Sequence, residues 1–576
     1  MKVKLVNENF KTDWVDNLLV SRNIIPENLP KVKHPTAVNL NDYHLLDHIE
    51  EAAERILVAL GRGERIGLLF DCDVDGLTSS TIMYHYLKEL DPNADIVYTF
   101  HTHKQHGLED SVNFFIIEEV KLVIELDAGI NDKVYHDLLG ENGIAVVCGD
   151  HHEYEGGGYS DNCIYVDNQI CDYPNKALAG CGISWQLCRM MDDLKGTDLA
   201  FKYIDLVALG CAADVMSAID LENRFIFDYG VSHIQDKAFA ALCEKQAYSM
   251  NNIIDYTSVA FYIAPLINAC MRTGSIEEKV LLYQGFLHPT ELIPSNKRGA
   301  KGEMTQRVNE LCRVLTNVKS RQDKLIRNYE ESFRTRLSSI GMDENNIIVV
   351  HLEPSDDFES ELNGLIAMRL CAHYHKPCIV IRDGLDNLTK GSMRNPGDCP
   401  IPELKPFLYQ CNYVEWVMGH NNSAGVAIKT PHIEDFIEWF NEQTKDLNFN
   451  DSSYQVNFEL DRNDNYLADL CWDIINHNNL WGAANPQPLI YLKGIKIDPS
   501  QITIMGSKKD TIKFFYKGVN CIKFRSAELA ETLSNLDEPI IVNMVGKPSL
   551  NEYNGYRSAQ FIIENVEWTT ESIVDF

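Results

Sequence analysis

The chain has 576 residues, too many for a single hydrophobic core, so three or four domains are expected. Its 45% hydrophobic and 10% aromatic content is that of an ordinary folded protein; no apolar run is long enough to span a bilayer, and the first residues, MKVKLVNENF, lack the apolar core of a signal peptide. A net charge of −32 argues against a simple nucleic-acid coat, and sixteen cysteines without one Cys-x-x-Cys pair argue against a zinc finger or an iron–sulfur site, leaving a cytoplasmic protein with reduced thiols.

Residues 1–60 read as an N-terminal helical lead-in, with Leu45, Ile49, Ala52, Ile56 and Leu60 at helical spacing. The apolar run Ile66 to Phe70 then reads as a strand buried on both faces, followed by Asp71, Asp73 and Asp75 in DCDVDG. In an extended chain these three carboxylates share one face, where they repel unless a divalent cation sits between them. A solvated acidic turn is the alternative for this stretch taken alone. A predicted helix at 77–90, strand at 95–100, helix at 108–119, strand at 122–126, helix at 133–139 and strand at 144–148 alternate as in a parallel, doubly wound sheet. Asp127 closes one of these strands, Asp150-His151-His152-Glu153 closes another, and Asp214 ends a helical stretch at 205–213. Loops at one rim of such a sheet converge on a common crevice.

From 274 to 340 the pattern becomes a charged helical connector carrying Lys319, Arg321, Lys324 and Arg327, for which a solvated basic face is the alternative. A smaller α/β pattern occupies 341–448. Beyond it, short strands at 489–497, 512–516, 539–545 and 559–563 suggest a small β-barrel over 449–576.

Hard divalent ions prefer carboxylates, and Mn²⁺ also accepts imidazole. Asp73, Asp75, Asp127, His151 and Asp214 would suit two such ions about 3.5–4 Å apart, a pair that lowers the pKa of a shared water and neutralises phosphoryl oxygens in an in-line displacement. Phosphodiester hydrolysis follows from that set. His152, next to His151, could hold a phosphate oxygen or protonate the leaving oxygen; for the dipeptide alone, two core histidines are the alternative.

In this order, DCDVDG, ELDAGI, GDHHE and ALGCAADV resemble the motifs of the DHH phosphoesterases. Within that superfamily the chain resembles the RecJ single-strand-specific exonucleases over nearly its whole length, through QHGLED, YPNKALAGCGISWQL, IAPLINACMRTGS, KGSMRN, MGHNNSAGVAI and LWGAANPQPLIYLKGIKI. The resemblance implies a DHH-type parallel-sheet catalytic domain at 61–273, the connector at 274–340, a DHH-associated substrate-binding domain at 341–448 and an OB-like nucleic-acid-binding barrel at 449–576. It implies two Mn²⁺ or Mg²⁺ ions on Asp73, Asp75, Asp127, His151 and Asp214, a hydroxide generated between Asp75 and Asp127, and His152 on the scissile phosphate. Asp71 and Asp150 would orient their neighbours. Ser392, Arg394 and His420 would hold the nucleotide backbone and Arg272 would face the DNA path, with a loop-capping role the alternative for His420. In the barrel, Lys508, Lys509 and Lys513 with Phe514, Phe515 and Tyr516 suit a single strand, unless they form an ordinary alternating strand with solvated lysines.

The implied activity is 5′-to-3′ hydrolysis of single-stranded DNA to 5′-mononucleotides by a monomer without a membrane partner, with a single-strand-binding protein or a helicase as candidate protein partners. A phosphodiesterase for short oligonucleotides or cyclic dinucleotides and an inactive replication or repair scaffold are the alternatives; the barrel weighs against the first and the complete ligand set against the second. Leu266, Met271, Asn395 and Met418 depart from the family pattern in segments that grip the strand, none of them in the metal set.

Overall fold

The computed structural model describes residues 1–570 apart from 104, 354, 355, 357, 385, 398, 450–452, 535–537 and 554. Strand β1 (Lys2–Leu5) and helix α1 (Trp14–Ser21) open the chain, and α2 (Ile49–Arg62) leads into the first sheet. Strands β2 (Ile66–Phe70), β3 (Ile96–Phe100), β4 (Leu122–Leu126), β5 (Ala145–Asp150) and β6 (Cys163–Asp167) are all parallel, in the order β3-β2-β4-β5-β6. Every residue of β2 and β4 is buried, which is why these strands read as unbroken apolar runs rather than alternating ones. The strand order reverses between β2 and β4, so the carboxyl ends of β2, β4 and β5 open onto one crevice. Helices α3 (Val74–Leu90), α4 (Gly180–Lys195) and α5 (Ile204–Ala213) share one core with the sheet through Leu77, Trp185 and Leu209.

Helix α6 (Ala264–Thr273) and the 33-residue α7 (Arg307–Ser339), about 50 Å long at 1.5 Å per residue, lead to a second sheet. Arg321 pairs with Glu278 at 2.7 Å and Lys319 with Asp323, so these connector cations are engaged within the protein. The second sheet holds β7 (Ile348–Leu352), β8 (Cys378–Asp383), β9 (Leu388–Arg394), β10 (Val414–His420) and β11 (Ser423–Lys429) in the order β10-β11-β9-β8-β7, with helix α8 (Asn363–Tyr374) packed on it.

Strand β12 (Ser453–Val456) runs parallel to β1, with Lys2 opposite Ser453. After it, β13 (Phe458–Asp461), β14 (Ile490–Ile497), β15 (Thr503–Met505), β16 (Thr511–Tyr516), β17 (Val519–Lys523), β18 (Ile540–Tyr553) and β19 (Tyr556–Thr570) form a seven-stranded sheet around a core that includes Ile495, Phe514, Met544 and Phe561. Val15, Leu18, Leu19 and Val32 belong to the same core. The first half of the expected lead-in therefore packs on the C-terminal unit, whereas Ile49 and Ile56 of α2 pack on the core of the first sheet. Among the described residues, no helix is long and apolar enough to cross a membrane.

Candidate metal centre and phosphate path

The chain does not stay extended through DCDVDG, and here the expectation of a shared strand face fails. Helix α3 begins at Val74 with Asp73 as its N-cap, whose side chain accepts from Gly76 N at 3.1 Å. An aspartate that satisfies a free amide at a helix start favours the turn over extension. Asp75 consequently lies in the first helical turn, where a second helix grips it: Gly180 N and Cys181 N, at the start of α4, donate to Asp75 Oδ2 and Oδ1 at 2.7 and 3.0 Å. A helix N-terminus suits a carboxylate because its free amides and dipole both favour negative charge. Glycine is required at 180, since a Cβ there would stand 2.6 Å from Asp127 Oδ1 and 2.8 Å from Asp127 Cα.

Asp127 follows β4 in the left-handed region, at φ 65°. His151 follows β5, and Asp214 caps the C-terminal end of α5. His151 Nε2 lies 3.1 Å from Asp127 Oδ1 and 3.7 Å from both Asp75 Oδ2 and Asp214 Oδ2. Asp71, Asp73 and Asp127 offer oxygens within 4.8 Å of one another. Burial, followed by the charges of Asp75 and Asp73, pushes Asp127 and Asp214 well above the usual carboxylate range, and burial with Asp71 and Asp75 raises Asp73. Burial lowers His151, which keeps its imidazole neutral and able to donate a lone pair. Asp127 Oδ1 is buried without a hydrogen-bond partner among the described residues. An orphaned buried acceptor among repelling carboxylates and a neutral imidazole fits a hard divalent cation.

His152 stands at the edge of this knot, a ring nitrogen lying within 4.8 Å of ligand atoms of Asp127 and His151. Its Nδ1 lies 2.8 Å from Asp150 Oδ1, and its side chain is 50% exposed. Asp150 is buried and also accepts from Ile130 N at 2.9 Å and His151 N at 2.7 Å. Burial disfavours its charge, but the His152 hydrogen bond and the two imidazoles outweigh that and hold it well below its usual value. By the same pairing His152 is pushed up to about 9 against the opposing effect of burial. Asp71 is buried, with Oδ2 2.5 Å from His106 Nδ1 and Oδ1 accepting from Gly107 N at 3.3 Å; His101 Nε2 stands 3.4 Å from Oδ1. The sequence reading overlooked His101 and His106. Histidines in an irregular stretch carry no periodic signal, and their pairing with Asp71 depends on the neighbouring strands β2 and β3.

Arg272 ends α6 close enough to the cluster for Asp73 to raise its pKa, although burial lowers it overall. Arg394 ends β9; burial and then the charge of Arg272 lower its pKa, so the two guanidinium groups face one region. Neither pairs with a carboxylate among the described residues. Ser392 and Arg394, two apart on β9, share a face, and Arg394 lies opposite Ser423, which is itself opposite His420. Met271 is buried, so this departure lies in the α6 packing, while Asn395 ties its loop to Ile401 O at 2.8 Å.

A model of the DHH family, N-terminal domain, matches residues 65–211, and a model of the RecJ OB domain matches residues 439–565. A Bacillus subtilis SPbeta prophage protein named as a single-strand DNA-specific exonuclease is 30% identical over 576 residues, covering 98% of each chain. The chain belongs to the RecJ family. The RecJ exonuclease of Bacillus subtilis is 25% identical over 588 residues, covering 98% of this chain and 70% of that one. The crystal structure of RecJ from Thermus thermophilus in complex with Mn²⁺ matches with a TM-score of 0.70 at 21% identity, covering 98% of this chain and 78% of that chain, so the RecJ fold extends over its length.

On the RecJ OB domain, Lys508 and Lys509 are exposed between β15 and β16, and Lys513 is half-buried on β16. Of the three aromatics expected to stack, Phe515 alone is well exposed, at 66%. Phe514 belongs to the core and Tyr516 packs against it. Strand alternation puts Phe514 and Phe515 on opposite faces, so they cannot form one platform. Phe524, just past β17 and 53% exposed, is a second outward ring that the sequence reading did not single out.

Proposed function

We propose that the chain is a metal-dependent exonuclease that hydrolyses single-stranded DNA from the 5′ end and releases 5′-mononucleotides. One observation carries this reading: His151 Nε2 lies 3.1–3.7 Å from three carboxylates contributed by separate elements, and the nearest of these oxygens, Asp127 Oδ1, is buried and accepts no hydrogen bond among the described residues. Asp73, Asp75, Asp127, His151 and Asp214 would hold Mn²⁺ or Mg²⁺, the ions carried by solved RecJ relatives. A pair of such ions supplies an activated water and offsets charge on the phosphoryl oxygens. The α4 amides fix Asp75 so that it need not reorganise. His152, held by Asp150, presents its other nitrogen to a phosphate oxygen or the leaving group. Arg272 and Arg394 grip the backbone with planar guanidinium forks.

The test is digestion of 5′- and 3′-labelled oligomers, single and double stranded, with Mn²⁺ or chelator. Release of labelled mononucleotide from the 5′ end of single strands, dependent on Mn²⁺, is expected. Cleavage confined to dinucleotides would instead indicate the short-oligonucleotide phosphodiesterase, and a folded, Mn²⁺-loaded but inert protein the scaffold.

Two further outcomes are expected. Arg394→Ala should lower kcat/KM for single-stranded DNA by about 10- to 100-fold, the worth of a charge-assisted hydrogen bond, with Mn²⁺ affinity unchanged by calorimetry. Phe515→Ala should weaken equilibrium binding of a long single strand by about 5- to 100-fold through loss of one stacking ring, while hydrolysis of a dinucleotide stays at the wild-type rate.

A further inference from the structure

His106 stands outside the five-residue cluster, on the loop between β3 and the helix Val112–Ile117. Its Nδ1 is 2.5 Å from Asp71 Oδ2, and that carboxylate is fully enclosed, its other oxygen taken by Gly107 N and faced by His101. A buried carboxylate with both oxygens engaged fixes the ring it holds and favours the ring's charged form. The ring nevertheless reaches solvent, its side chain being 47% exposed. It also stands beside the site, its centroid 6.2 Å from that of His152.

His106 and His152 are built alike. Each has Nδ1 on a buried aspartate, Asp71 or Asp150, and each is about half exposed. Among the described residues, Nε2 of neither meets a carboxylate or carbonyl oxygen; the thiol of Cys72, 3.7 Å from His106 Nε2, is too distant and too weak a partner to satisfy it. A phosphodiester carries two non-bridging oxygens, each able to accept one such N–H. Two imidazoles about 6 Å apart suit that bite, one on each side of a phosphate.

We propose that His106 is a second phosphate-contacting imidazole, which together with His152 grips one phosphate of the strand over the candidate metal site. The assignment rests on the exonuclease reading above. It gives Asp71, the first aspartate of DCDVDG, a role in substrate binding through His106. The charge state agrees: burial opposes protonation of His106, but the Asp71 carboxylate chiefly outweighs it and pushes the ring up to about 12.

The experiment uses the full chain with Mn²⁺, His106→Ala and His106→Gln, and three readouts: hydrolysis of single-stranded DNA, calorimetric binding of Mn²⁺, and calorimetric binding of thymidine 5′-monophosphate against thymidine. His106→Ala should lower kcat/KM and weaken thymidine 5′-monophosphate binding, each by about 10- to 100-fold. His106→Gln, which keeps a neutral N–H donor, should fall between Ala and wild type, and thymidine and Mn²⁺ binding should not change. Monophosphate binding within twofold of wild type in both variants overturns the proposal. So does a loss of monophosphate binding that only follows weakened Mn²⁺ binding, which would make His106 a support for the cluster. A wild-type chain that binds Mn²⁺ and monophosphate without hydrolysing any strand strikes the exonuclease reading, a result visible before any His106 variant is compared.

Discussion

Asp127→Asn is expected to abolish Mn²⁺-dependent hydrolysis, by about 1,000-fold or more, while leaving the metal-free protein at least as stable as wild type. The loss follows from position: Asp127 Oδ1 is the nearest carboxylate oxygen to His151 Nε2, at 3.1 Å, and accepts no hydrogen bond among the described residues. An amide oxygen is a poor substitute for a carboxylate toward a hard cation, and the several kcal/mol of charge stabilisation supplied by such a cation are worth about that factor in rate. The stability gain follows from repulsion. Burial and the neighbouring aspartates hold Asp127 well above the usual carboxylate range, so at neutral pH its ionisation opposes folding unless a cation compensates. Asparagine removes that charge and tolerates the left-handed backbone at φ 65°. Melting in chelator should shift upward by about 2–4 °C for each kcal/mol relieved, and the upward shift that Mn²⁺ gives wild type should disappear. Hydrolysis within tenfold of wild type would show that Asp127 is not a ligand.

The convergence of these candidate ligands was legible for a topological reason. Alternating strands and helices imply a parallel sheet, and a parallel sheet gathers strand ends at one rim, so Asp127, His151 and the residues after β2 could be grouped before any distance was known. The conformation within DCDVDG was not legible, because period-two spacing of aspartates also fits an N-cap followed by a first turn, and the amide waiting at Gly76 decides for the helix. The start of the chain was harder still. Strand β1 pairs with β12, about 450 residues away, and nothing local in KVKL names that partner. In the OB domain, the alternation that identified the strand at 512–516 also decides which ring faces out, so Phe514 could have been assigned to the core from the pattern alone.

His136→Ala should destabilise the catalytic domain by about 3–5 kcal/mol, a cost arising from the carboxylate it abandons more than from the imidazole it removes. Glu125 is the penultimate residue of β4, with no exposure, two residues before Asp127. Its Oε2 is 2.7 Å from His136 Nε2, while its Oε1 has no hydrogen-bond partner among the described residues. His136 Nδ1 lies 2.8 Å from the Tyr165 hydroxyl, which also accepts from Ser160 N at 3.1 Å, so the network runs from β4 across to β6 beneath the metal-site loop. Burial pushes the Glu125 carboxyl well above its usual range, and losing its imidazole partner leaves it to desolvate alone. The midpoint of catalytic-domain unfolding in urea should fall accordingly, and Mn²⁺ affinity should fall with it, because Asp127 continues directly from the strand that Glu125 occupies. The double variant Glu125→Leu/His136→Leu separates the causes. If the cost lies in an unpaired buried acid, replacing both partners by apolar side chains recovers most of the lost stability, since a buried polar pair is often no more stabilising than the hydrocarbon that fills its space. If the double variant is as unstable as His136→Ala, the network contributes through its hydrogen bonds to Tyr165 instead, and Tyr165→Phe should then show a comparable loss.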